Sequence, residues 1–292
     1  MKNIFFYLLL FSSFYAAAQT QQNINKNTGT VSNIITTIDS IRFTGSSTIM
    51  EVVLQNGTIE SHSISDIINV NFAFASQHSC GAEGIHNPNL TYGNMTDQEG
   101  NEYKTIVIGN QEWMAENLKT SIYRNGEPIV TNLTDVDWQN SYITEIAAWS
   151  YYNNDSQYEC PYGKLYNWYA VADQRNLCPV GWHIPTDDEL TTLTNYLGGE
   201  LPAGGKMKST GTQYWNAPNT DATNESGFSG LPGGYRLSLG GLQNIGNDGF
   251  WWSSSAPKIY NAWYRYLGYN LGNATRNISS KQYGLSVRCL RD

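Results

Sequence analysis

The stretch STIMEVVLQNGTIESHSI, residues 47–64, alternates apolar and polar side chains on both sides of Asn56 and Gly57. Period-two alternation sends one set of side chains to one face of a strand, and Asn-Gly tolerates the positive φ of a tight turn. The stretch therefore predicts a β-hairpin with a two-residue turn. Two similar phrases flank it, IDSIRF at 38–43 and IINVNF at 67–72, offset by 29 residues. Two copies are too few for a solenoid, so residues 35–74 are predicted as a small β module with related edge or partner strands. Its core would be thin, and docking to a neighbour or oligomerisation would support it. Residues 19–34, almost without apolar side chains, are expected as a flexible leader. Residues 75–91, small, polar and turn-rich with Cys80 near the middle, are expected as a linker.

The remaining residues, 92–292, carry the patterns of a larger domain. EYKTIVIGNQEWMAENL predicts a hairpin turning at Gly109 and Asn110. Leu165, Trp168, Tyr169 and Ala172 fall at helical spacing and predict one amphipathic helix. A second is marked by the capping box of Thr186 and Glu189, by Leu190, Leu193 and Leu197 on one stripe, and by Gly198 as a stop. Beyond Gly198 the pattern predicts loops and strands. In YGLSVRCLRD, Leu285, Val287 and Cys289 alternate with Ser286 and Arg288, so Cys289 is expected to point inward.

The first 18 residues change the compartment. Lys2 precedes an apolar run from Ile4 to Phe11, and Ala16, Ala17 and Ala18 supply small residues for cleavage near Gln19, the plan of a secretory signal peptide. The run is too short for the roughly 20 apolar residues of a membrane helix, and no later stretch reaches that length. No cysteine lies at the expected cleavage point to carry a lipid. The chain is expected to be released, outside the cell or into the periplasm. Its four cysteines, Cys80, Cys160, Cys178 and Cys289, are an even number in an exported chain, which favours two disulfides in any of three pairings. The nearest two lie 18 positions apart, too far for a typical zinc pair. A net charge of −8 argues against a nucleic-acid partner. The 20 Tyr, 9 Trp and 27 Gly, against 14% charged residues, suit a loop-rich extracellular domain that makes aromatic contacts.

Six phrases in order, DQEGNEYKTIVIGNQEWMAENLKT, YGKLYNWYAV, LCPVGWHIPTDDEL, GFSGLPGGYR, GFWWSSS and GLSVRCLRD, resemble the Fibrobacter succinogenes major paralogous domain, a family of secreted bacterial domains. The resemblance covers residues 92–292. It implies an α+β fold related to C-type lectin-like domains and to formylglycine-generating enzymes: two short helices, a twisted antiparallel sheet and long loops. It also implies a structural disulfide between Cys178 and Cys289, which leaves Cys80 and Cys160 to bridge linker and domain. Formylglycine-generating enzymes hold copper with a close cysteine pair near the end of the domain, and this chain has Cys289 alone there.

Catalytic signals are weak. His183 would need an acidic partner and a nucleophile, yet His62, His78 and His86 all precede the larger domain. The G-x-S-x-G spacing around Ser229 fails at Leu231, and neither a phosphate-binding Gly-rich loop nor an H-E-x-x-H pair occurs. Recognition signals are stronger. NAPNTDATNESGF offers Asp221, Asn224 and Glu225, with Asn219, as hard oxygen ligands for calcium, against the competing reading of a solvated Asn/Asp turn. The tripeptides of sugar-binding C-type lectins are absent. Trp215, Trp251, Trp252 and Tyr264 are candidate ligand-binding aromatics. Adjacent Trp251 and Trp252 must face opposite sides of a strand, one filling the core and one left to stack on a ligand, unless loops bury both. The expectation is a secreted, non-catalytic recognition or adhesion module that binds glycan or an extracellular protein. The alternatives are a metal-dependent extracellular enzyme and a structural surface component.

Overall fold

In the computed structural model, residues 20–26, 29–34, 38–44, 49–54, 58–74 and 82–292 are described. Residues 1–18, expected as a signal peptide, together with Cys80 and the turn residues Asn56 and Gly57, lie outside them. The chain divides into two units, Met1–Ser76 and Gln77–Asp292. No helix among the described residues is long and apolar enough to cross a membrane.

The first unit contains strands β1 (Thr20–Lys26), β2 (Gly29–Ile34), β3 (Ile38–Thr44), β4 (Ile49–Leu54), β5 (Ile59–Ser63) and β6 (Ile67–Phe74). β4 and β5 pair antiparallel, Met50 opposite His62, as the alternation predicts, and the buried Met50, Val52 and His62 lie on one face. The two Ile-rich phrases, β3 and β6, are edge strands of different three-stranded sheets, β3-β4-β5 and β2-β1-β6. Residues 20–34, expected as a leader, instead form β1 and β2, with β1 between β2 and β6. Backbone pairing on both sides of β1 supplies the order that its polar composition does not announce.

The second unit is α+β. It contains β7 (Gly93–Thr96), β8 (Glu102–Ile108), β9 (Gln111–Met114), α1 (Asp135–Thr144), β10 (Trp149–Ser150), α2 (Glu159–Tyr162), β11 (Leu165–Tyr166), α3 (Trp168–Val171), β12 (Trp182–His183), α4 (Asp187–Tyr196) and α5 (Glu200–Met207). Its later strands are β13 (Gly233–Leu237), β14 (Gly240–Ile245), β15 (Asp248–Trp252), β16 (Asn261–Gly268), β17 (Ala274–Ser280) and β18 (Leu290–Arg291). A five-stranded sheet runs β12-β18-β9-β8-β7, a three-stranded sheet runs β15-β16-β17, and β13-β14 form a hairpin. The expected hairpin at Gly109 and Asn110 joins β8 to β9, with Ile108 opposite Gln111. Residues 82–91, expected as linker, pack on this unit: Ile85 is buried, and His86 bonds Glu116 at 3.2 Å.

Helix α4 starts where its sequence says. The Thr186 side chain accepts from the Glu189 amide while the Glu189 carboxylate accepts from the Thr186 amide, and Leu190, Leu193 and Leu197 are buried. Such a cap contributes about 1 kcal/mol. Asp187 in its first turn binds Arg265 at 2.7 Å and Arg276 at 2.6 Å, anchoring the helix start to β16 and β17.

Two helix expectations need correction, and one helix was not anticipated. Leu165 and Tyr166 are a strand, with the Tyr166 amide donating to the Leu285 carbonyl, and Asn167 caps the single turn α3. Ala172 is exposed, so the spacing from Leu165 to Ala172 is not a buried face. Beyond Gly198 there is a further helix, α5, despite Pro202, Gly204 and Gly205. Those glycines are contact points, because a Cβ on Gly204 would overlap the Asn273 carbonyl and one on Gly205 the Asp221 carbonyl. Helix α1 is capped by Thr134 and buries little besides Trp138 and Ser141, which is why no apolar stripe foretold it.

Two apolar clusters meet at β15 and the final segment. Trp252, Val287 and Cys289 belong to one, with Tyr166 and Leu285. Trp251 and Leu290 belong to the other, with Trp113 and Phe228. Ser286 and Arg288, expected opposite Cys289, are buried too. The Arg288 guanidinium is held by the Asn117 side chain and the carbonyls of Phe228 and Ser229. Cys178 and Cys289 are joined in a disulfide with their Cα atoms 5.9 Å apart, so the pairing implied by resemblance is present. Cys160 is half-buried.

Candidate functional site

The three-stranded sheet presents one aromatic face. Phe250 lies opposite Tyr266, which lies opposite Thr275; Trp252 lies opposite Tyr264, which lies opposite Asn277. Period-two geometry therefore puts these two rows on the same side, with polar Thr275, Asn277 and Ser279 along the edge strand β17. Tyr235 from β13 and Tyr283 from the segment after β17 stack on each other with centroids 5.7 Å apart. Tyr235 also meets Phe250 edge-on at 5.0 Å, and Phe250 stacks on Tyr266 at 5.0 Å. Between these rings lies a cleft of about 410 Å³.

One carboxylate, Asp248, lines this cleft. Its Oδ1 accepts the Tyr266 hydroxyl at 2.9 Å and its Oδ2 accepts the Asn244 amide at 2.5 Å. Burial raises its carboxyl from the ordinary aspartate value, against the pull of those two bonds. Burial likewise raises the Tyr264, Tyr235 and Tyr266 phenols, so each remains a neutral hydroxyl at neutral pH. The cleft combines ring faces, hydroxyl and amide donors, and one acidic acceptor.

Of the aromatics expected at a binding surface, Tyr264 alone lines the cleft. Trp215, Trp251 and Trp252 are 1%, 2% and 0% exposed, and their indole nitrogens bond the Gly230 carbonyl, the Asn117 side chain and the Tyr166 carbonyl. Trp251 and Trp252 do face opposite sides of β15, but an apolar cluster covers each side. The expectation that one stays free to stack is corrected on that ground.

Two of the residues expected to hold calcium are engaged within the protein. Asn224 turns inward, accepting from the Ser229 amide at 2.9 Å and donating to the Ile85 carbonyl at 3.1 Å. Glu225 is 63% exposed and lies 3.5 Å from Lys206. Asp221 is exposed and contacts Gly205 and Gly272. Among the described residues no group of three or more His, Cys, Asp or Glu side chains is placed to hold a metal. An internal ammonium organises the loop instead. Lys208 donates to the carbonyls of Thr220, Gly268 and Leu271 at 2.8, 3.0 and 2.8 Å, and burial pulls it down to about 8.

His183 bridges two carboxylates, Asp292 at 2.7 Å and Glu189 at 3.1 Å, tying β12 to the start of α4 and to the end of β18. Ser229 is fully buried, bonded to Asn224 and to the Gly227 carbonyl.

The sequence reading missed Tyr235, Asp248, Phe250 and Tyr283 as members of one site. The signal that would have found half of them is alternation: Asp248, Phe250 and Trp252 share one strand face, and Tyr264 and Tyr266 another. Residues 106–291 match the model of the Fibrobacter succinogenes major domain. No curated protein and no solved structure matches the chain.

Proposed function

The chain belongs to the Fibrobacter succinogenes major domain family, and on that premise we propose that its second unit is a non-catalytic saccharide-recognition module whose binding site is the tyrosine-walled cleft. The observation that carries this reading is the pairing of ring faces with a polar edge strand. A sugar ring offers C–H faces to aromatic rings and hydroxyls to hydrogen-bonding groups around its rim. Phe250, Tyr264 and Tyr266 supply the first kind of contact, and Thr275, Asn277, Ser279 and Asp248 the second. The cleft volume falls within the range of small-ligand sites.

Binding is favoured over glycoside hydrolysis because that chemistry ordinarily needs two carboxyl groups across the scissile bond. Among the described residues lining the cleft, Asp248 is the one carboxylate. A C-type lectin-like fold and export of the chain belong to the same reading. The Cys178–Cys289 disulfide supports an oxidising compartment.

A glycan array probed with the full chain tests it. Saturable binding is expected, weakened at least about tenfold by Tyr264→Ala, which removes a ring from the cleft, and unaffected by Glu225→Ala, which does not line it. An empty array, or equal binding by the Tyr264→Ala variant, refutes the assignment.

A further inference from the structure

The way Asp248 is held sets it apart from the other buried carboxylates of this unit. Asp187 is neutralised by Arg265 and Arg276, and Glu116 contacts His86. Asp97 receives four donors: the amides of Glu99 and Asn101, the Asn101 side chain and the Tyr103 hydroxyl. Asp248 is only 8% exposed, yet it receives two neutral donors, and no Lys, Arg or His among the described residues pairs with it. A carboxylate offers about four lone-pair sites, so each oxygen keeps one acceptor position. A buried anion without a cation is costly.

The surroundings suit a cation arriving from outside. The cross-strand partner of Asp248 is Gly268, which puts no side chain over it. A Cβ on Gly268 would sit 2.6 Å from the Tyr266 hydroxyl, so the glycine also lets that hydroxyl reach back to the carboxylate. The rings of Phe250, Tyr264 and Tyr266 stand nearby, and aromatic faces attract ammonium groups most strongly where water is excluded. None of the residues lining the cleft is basic.

We infer that the cleft selects saccharides carrying a free amino group, whose ammonium pairs with the Asp248 carboxylate while the sugar ring lies against the tyrosines. The inference rests on the saccharide reading above and narrows it to amino sugars. A neutral sugar would leave the buried charge uncompensated, and an acidic one would repel it.

Calorimetric titration of the full chain with a glucosamine tetramer, its fully N-acetylated counterpart and a neutral glucose tetramer tests this. The glucosamine tetramer is expected to bind at least about tenfold more tightly than the other two, a difference of about 1.4 kcal/mol. Asp248→Asn is expected to shrink that ratio at least about fivefold, with its urea unfolding curve establishing that the variant is folded. The acetylated ligand makes the same comparison on the unaltered protein. Equal affinities for all three tetramers, or preference for an uncharged one, overturn the charge selection and leave saccharide binding standing. Failure of all three to bind overturns both readings.

Discussion

Replacing Cys178 and Cys289 together by Ala removes a covalent strap across 111 positions of sequence, with the Sγ atoms in fully buried surroundings. Alanine is the substitution of choice because a serine hydroxyl would be buried there. In the chain-entropy model, opening a loop of that length gives back about 5 kcal/mol of denatured-state freedom. The cost is concentrated where the strap lies. Cys289 follows Arg288, which is locked to the Phe228 and Ser229 carbonyls, and precedes Leu290, which pairs with Trp113 and His183. For a unit of this size each kcal/mol moves the melting temperature by about 2–4 °C, so a fall of about 10–20 °C is expected by calorimetry. Unaltered protein scanned in reductant should show the same fall. A fall below about 4 °C in both experiments would refute the reasoning, because the other contacts of the segment would then suffice to constrain it.

Acid should weaken the second unit in two stages. Burial holds the His86 imidazole below 6.5 despite its bond to Glu116, so the unfolded chain takes up that proton first and stability falls as pH drops below about 6.5. Burial raises the Glu116 carboxyl, but the His86 bond and the Lys119 charge outweigh it and leave it below 4.5, adding a further loss below about that pH. Urea midpoints measured from pH 7 to 4 should show the upper stage in the parent and lose it in His86→Gln; a persisting upper stage would assign it to another group. Lys208→Met strips the common donor from the carbonyls of Thr220, Gly268 and Leu271, for a loss of at least about 2 kcal/mol and faster proteolysis within residues 216–225. Unchanged stability and cleavage would show that the ammonium does not organise that loop.

What could be read from the sequence was what is local. The cap of α4 uses residues three positions apart, and the Gly109 turn joins strands adjacent in the chain, so both are written in short stretches. Leu165 to Ala172 deceived because its spacing is helical while its partners are remote: Leu285 draws Tyr166 into a strand. Helix α5 was hidden by Pro202, Gly204 and Gly205, poor helix formers whose lack of bulk matters only against Asn273 and Asp221. At the site, Tyr264 was visible as an aromatic in a strand, whereas Asp248 in an Asn-Asp-Gly sequence looks like a turn residue. The burial of Trp251 and Trp252 depends on two separate clusters closing over one strand, which no local pattern encodes.

The segment 285–290 feeds both clusters, with Leu285, Val287 and Cys289 in one and Leu290 in the other. In a chain delivered from its N-terminal side by a ribosome, neither core can close until these six positions have emerged. About two hundred preceding residues of this unit must wait, with the Trp113, Trp251 and Trp252 pockets still open. Contacts of such long range fold late. The two cores of this unit are therefore coupled through one short segment, and neither is complete without it.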